Sequence, residues 1–132
     1  MGSMQYSHAV EVDGDFDDVV ARTREALAAE GFGVLTEIDV QATMKAKLDV
    51  DRDEYVILGA CNPPLAHRAL EAEPELGVLL PCNVVVYRTG DKVRVSAVSA
   101  GDMLGMVGNP ALEPVAEEVS ERLGRVIAAV GE

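Results

Sequence analysis

The chain predicts an α+β domain, one layer of antiparallel sheet with helices packed on one face. Three observations carry this expectation. Val84, Val85 and Val86 run into Tyr87, Arg88 and the turn residues Thr89-Gly90-Asp91, and Val93, Val95 and Ala97 then alternate with Arg94 and Ser96, which describes a β-hairpin. Towards both ends of the chain apolar residues recur at threes and fours, as on helices that bury one face. A length of 132 residues, without an internal repeat or low-complexity segment, fits a single domain with its own core. That domain is expected from Met4 to Glu132, with Met1-Gly2-Ser3 read as a cloning scar.

Tyr6, His8, Val10 and Val12 alternate with Ser7, Ala9 and Glu11, the period of a half-buried strand, with His8 on the apolar phase. Asp15 is a good N-cap, Asp17 and Asp18 sit where a helix dipole favours negative charge, and Gly31 closes the far end. The helix between them has Phe16, Val20, Thr23 and Leu27 as its expected inner stripe. Val34, Thr36, Ile38 and Val40 alternate as a second strand, and Asp39 caps a short helix through Leu48 with Met44 and Leu48 on one side. Asp49, Asp51 and Asp53 open like an EF-hand loop, but Glu54 stands where the loop needs glycine and Ala60 where it needs a bidentate glutamate, so this is a solvated acidic loop.

From Tyr55 to Tyr87 the chain holds both cysteines and four of its six prolines. It reads as a buried strand ending in Cys61, a short helix opened by Asn62-Pro63-Pro64, and a second buried strand approached through Pro81-Cys82-Asn83. Gly101, Gly105 and Gly108 lack the spacing of a phosphate-binding loop, and no lysine of that kind follows. Their segment is a connector with a helical turn, or a flap whose Met103, Leu104 and Met106 close over an apolar ligand. Asn109-Pro110 then caps a long helix whose Leu112, Val115, Ala116, Val119, Leu123, Val126, Ile127 and Val130 lie across the sheet.

Composition narrows the function. The net charge of -12 repels nucleic-acid phosphates and anionic lipid heads, so neither nucleic acid nor membrane is an expected partner. No apolar run approaches the ~20 residues of a membrane span. Two cysteines are too few for a disulfide scaffold, and no basic-plus-apolar leader is evident, which implies a reducing, cytoplasmic setting.

The segments Ile57-Leu58-Gly59-Ala60-Cys61-Asn62-Pro63 and Leu79-Leu80-Pro81-Cys82-Asn83-Val84 resemble the two hallmark motifs of the bacterial and archaeal domain-of-unknown-function 302 family. The similarity runs from about Tyr6 to Val130. It implies a TBP-like arrangement of strand, helix, four strands and helix, usually dimeric, and it brings no established activity.

Chemistry has to be sought at the cysteines. Cys61 precedes the N-cap Asn62, so its thiol is expected near a helix dipole and free backbone N–H groups, which lower a thiol pKa. Cys61 and Cys82 form a candidate redox pair, and with His67 a candidate soft-metal set for zinc or copper(I), assisted by Met103 or Met106. Against this stand the absence of a Cys-x-x-Cys motif, three ligands rather than four, and the tendency of free cysteine simply to pack. No serine lies in a nucleophile elbow, the two histidines form no metalloprotease pattern, and Glu71, Glu73 and Glu75 have no concave site around them to support acid–base work.

The balance leans away from an enzyme, with no cofactor required. The leading expectation is a homodimeric binding or interaction module that holds a small apolar ligand, with Cys61, Asn62, His67, Cys82, Asn83, Met103 and Met106 as candidate binding residues. The alternative is a thiol-dependent redox or soft-metal-handling protein centred on Cys61 and Cys82. A dimer is expected because Val84 to Val86 are apolar towards both faces of a single sheet layer.

Overall fold

A computed structural model describes residues 6–132, so the reading of Met1-Gly2-Ser3 as a cloning scar lies outside the described residues. Five strands form one antiparallel sheet: β1 (Ser7–Val12), β2 (Gly33–Asp39), β3 (Tyr55–Cys61), β4 (Cys82–Thr89) and β5 (Lys92–Val98), in the order β1-β5-β4-β3-β2. The helices are α1 (Phe16–Ala29), α2 (Val40–Leu48), α3 (Pro63–Ala72), α4 (Ala100–Gly105) and α5 (Glu113–Val130), with single 3-10 segments at Pro74–Leu79 and Pro110–Leu112. The α+β expectation and its strand succession hold, with α2 and α3 inserted between strands.

Alternation decides which residues meet the helices. Val56, Leu58 and Ala60 of β3, Cys82, Val84 and Val86 of β4, and Val93, Val95 and Ala97 of β5 are buried on one face. Against them lie Phe16, Val19, Thr23 and Leu27 of α1 and the stripe Val115, Val119, Leu123, Val126 and Val130 of α5. The first helix starts as expected, with the Asp15 carboxylate accepting from the Asp18 N–H. Buried Thr23 donates its hydroxyl proton to the Val19 carbonyl at 2.8 Å, so it carries no orphaned polar atom inside.

Three local expectations need correction. Val19 rather than Val20 occupies the inner stripe of α1, because a 3-4-4 spacing from Phe16 follows the face pressed on the sheet, leaving Val20 at its margin. β2 forms where the alternation of Val34, Thr36 and Ile38 places it, as an edge strand whose pairing shifts between Val34 and Thr36, with Leu35 67% and Ile38 48% exposed. Val40 begins α2, where Asp39 caps the Ala42 N–H as expected, yet α2 buries no residue and Leu48 is exposed. Asn109 caps a 3-10 turn first, accepting from the Ala111 N–H at 3.0 Å, and α5 begins three residues later than Pro110.

Among the described residues, no helix packs a core on the opposite sheet face. Ile38 pairs with Ile57, Ile57 with Val85, and Val85 with Ser96, so one apolar row crosses this face. Beside it Tyr55 and Tyr87, cross-strand partners, stack with centroids 5.0 Å apart, and the Arg52 guanidinium lies 5.0 Å over the Tyr55 ring.

Candidate functional site

Where β3 ends and β4 begins, the sheet parts from α3, and a half-open pocket of about 320 Å³ remains. Its walls are Ala60, Cys61 and Cys82 from the strand ends, Leu65, Ala66 and Ala69 from α3, Leu76 from the 3-10 segment, Met103 and Leu104 from α4, and Val115 and Val119 from α5. The volume is at the lower end of that of small-molecule sites. Among the described residues, Asn62 is its only lining side chain with a hydrogen-bonding amide, and no charged side chain lines it.

The local sequence explains the shape. Asn62 stops β3 and caps α3, accepting from the Leu65 N–H at 3.4 Å, while its Nδ2 donates to the Glu30 carbonyl at 3.4 Å behind α1. The same carbonyl accepts from Arg122 at 2.9 Å, so Asn62 and Arg122 tie α3 and α5 to the end of α1. Gly59 must be glycine for a different reason: a Cβ there would collide with the Thr36 hydroxyl and reach 2.9 Å from Pro81 Cγ. Pro81 follows a cis peptide bond and leads into Cys82, whose register partner is Ala60.

The first turn of α3 offers Cys61 no unengaged backbone donor. Pro63 and Pro64 carry no N–H, the Leu65 N–H is taken by Asn62 Oδ1, and the Ala66 N–H by the Asn62 carbonyl at 2.8 Å. Both cysteines are free thiols, Cys61 half-buried and Cys82 buried. Burial first, and the neighbouring Cys61 second, push the Cys82 thiol from 9.0 up to about 11, so it is protonated at neutral pH.

Of the expected site residues, Cys61, Asn62, Cys82 and Met103 meet at this pocket, and His67, Asn83 and Met106 do not. His67 is exposed on α3 and lies 3.4 Å from Glu71 Oε1, one turn on. Met106 is 71% exposed beyond the end of α4. Asn83, next to Cys82 on a strand, faces the other way and lines a groove on the bare sheet face with Tyr55, Val85, Tyr87 and Arg94. The Cys61-His67-Cys82 set is therefore not assembled, and among the described residues no three His, Cys, Asp or Glu side chains converge as a metal site. His8 is exposed, and Asp49 and Asp51 pair with Lys45 at 2.9 and 3.2 Å in the acidic loop. Sequence reasoning missed the pocket walls Leu65, Ala69 and Leu76. For Leu65 and Ala69 the signal was the apolar stripe of α3, whose partner lies far along the chain.

A family model described as "Domain of unknown function DUF302" matches residues 8–130. The chain belongs to the DUF302 family. A solved relative, described as an uncharacterized conserved DUF302 protein from Bacillus stearothermophilus, superposes with a TM-score of 0.88 at 30% identity, covering 96% of this chain and 98% of the other. No curated protein matches the chain. In this DUF302 chain the two motifs are neighbouring strand ends, Ala60 against Cys82 and Gly59 against Asn83, and together they form the floor of the pocket. No described helix of the DUF302 chain is long and apolar enough to cross a membrane.

Proposed function

We propose that this DUF302 chain is a non-catalytic binding module that takes a small, uncharged, apolar ligand into the pocket between the strand ends, α3, α4 and α5. One observation carries the reading: the lining is hydrocarbon and sulfur apart from Asn62, with Leu35 and Met103 at an accessible edge. A ligand bearing an ionised group would lose its water there without gaining a partner, whereas an apolar surface gains about 25 cal/mol per Å² buried. The engagement of the Leu65 and Ala66 N–H groups by Asn62, with prolines at the two positions before them, weighs against a thiol activated by the α3 N-terminus. The module works as a homodimer joined through the row Ile38, Ile57 and Val85, which supplies the apolar centre of such an interface with polar residues around it.

The test uses the neutral fluorophore N-phenyl-1-naphthylamine. Binding is expected to saturate at one molecule per chain and to be lost in Ala66→Phe, which fills the pocket from a half-buried position. Non-saturable binding, or unchanged affinity in a folded Ala66→Phe protein, refutes the reading.

A further inference from the structure

The sheet register skips Leu35, since pairing passes from Val34 with Ala60 to Thr36 with Gly59. A one-residue shift of this kind re-aims a side chain. Leu35 lines the pocket, although neither of its neighbours in β2 does, and it remains 67% exposed. Leu70 lines the pocket from α3 and is 38% exposed. Further in lie buried Leu65, Ala69 and Leu76. The apolar lining therefore continues from the closed end of the pocket to its outside, and a ligand enclosed by the cavity would leave both exposed leucines in water. Exposed apolar side chains continuous with a pocket mark a surface that its ligand covers.

We propose that the pocket takes a single hydrocarbon chain, which runs out past Leu35 and Leu70 and carries an uncharged polar head in solvent. This inference rests on the apolar-ligand reading and deepens it, from a small enclosed molecule to an amphiphile with one chain. The chain can leave the cavity and still bury apolar surface, because the two leucines extend the wall on which it lies. The head stays outside, since among the described residues no charged side chain lines the pocket to receive an ionised group. An anionic head is disfavoured further by the chain's net charge of -12.

The octyl, decyl, dodecyl and tetradecyl ethers of tetraethylene glycol, each kept below its micelle concentration, are titrated calorimetrically into wild type and into the Leu35→Ser/Leu70→Ser double variant. Both leucines are exposed, so the variant keeps its core. Wild-type affinity is expected to rise about fourfold per methylene while the cavity fills, and then about twofold per methylene where the chain lies on the leucines with one side in water. In the double variant the first rise should remain and the second vanish. The tetradecyl ether then loses roughly tenfold in affinity, while the octyl ether changes by less than about twofold. A wild-type affinity that stops rising once the cavity is full, or a tetradecyl ether bound equally well by the double variant, overturns the proposal, and naphthylamine binding to the same samples shows that the apolar-ligand reading survives it. If neither the fluorophore nor any ether binds, both readings fall. Sedimentation with phosphatidylcholine vesicles that is lost in the double variant would assign the leucines to a membrane surface and also overturn the proposal.

Discussion

Replacing Asn62 with alanine tests whether this motif residue builds the pocket or serves its ligand. The side chain is only 8% exposed and makes two hydrogen bonds, each 3.4 Å long. Losing an N-cap costs typically ~1 kcal/mol, and the buried Leu65 N–H, left without its acceptor, keeps this from falling lower. The bond to the Glu30 carbonyl adds about 0.5 kcal/mol, at the low end, because Arg122 still donates to that oxygen at 2.9 Å. Asn62→Ala should therefore lose about 1.5–2.5 kcal/mol. For a domain of this size that lowers the melting temperature by roughly 5–12 °C. Asn62→Ser keeps a capping oxygen but does not reach Glu30, so it should recover ~1 kcal/mol of the loss. Urea denaturation followed by circular dichroism measures both. If serine is as damaging as alanine, or if alanine costs less than about 0.5 kcal/mol, the capping argument is refuted and Asn62 is held for its contact with a ligand.

Gly59→Ala should destabilise by about 2–3 kcal/mol through overpacking against Thr36 and Pro81, and Thr36→Ala should restore part of that loss in a double variant; additive losses would refute the steric account. Val85→Glu should convert a dimer into a monomer by light scattering, and an intact dimer would move the interface off the bare sheet face. Cys82 has its folded pKa raised, so its neutral form stabilises the fold below about pH 9, and this contribution, roughly 2–3 kcal/mol, is lost as pH rises from 9 towards 11. Cys82→Ala should flatten that alkaline loss, and an unchanged pH profile would refute the assignment. At neutral pH iodoacetamide should label half-buried Cys61 before buried Cys82, for reasons of access rather than helix dipole; equal rates in folded protein would contradict this.

Elements whose residues answer to one local period were legible in the sequence. The α5 stripe from Val115 to Val130 and the hairpin around Gly90 fall where threes and fours, or twos, place them. β2 was legible only as a strand, because alternation in Val34, Thr36 and Ile38 does not record whether anything covers its face, and an edge position left it uncovered. The site was half legible. Cys61, Asn62 and Cys82 were found because the chain breaks its regular structure there with proline and asparagine. Asn83 was misassigned although strand geometry already turns it away from Cys82. His67 was joined to the cysteines by closeness in sequence, but its position on α3 turns it to solvent and Glu71. The opposing wall, Val115 and Val119, comes from a helix whose pattern speaks only of burial, never of a gap left beside it.

β1 meets its partner late. Residues 7 to 12 pair with residues 93 to 98, so a chain leaving the ribosome carries Val10 and Val12 without a sheet until nearly the whole domain has been made. The β2–β3 and β4–β5 pairs close shorter spans, whereas bringing β1 home carries a loop-closure cost of roughly 4 kcal/mol. Meanwhile β5 presents an unoccupied edge, and the strand best shaped to fill it, besides the chain's own, is β1 of another copy. Strand exchange is thus the characteristic misassembly of this topology. It would give a dimer held by sheet hydrogen bonds that comes apart only by unfolding, unlike one joined face to face through Val85.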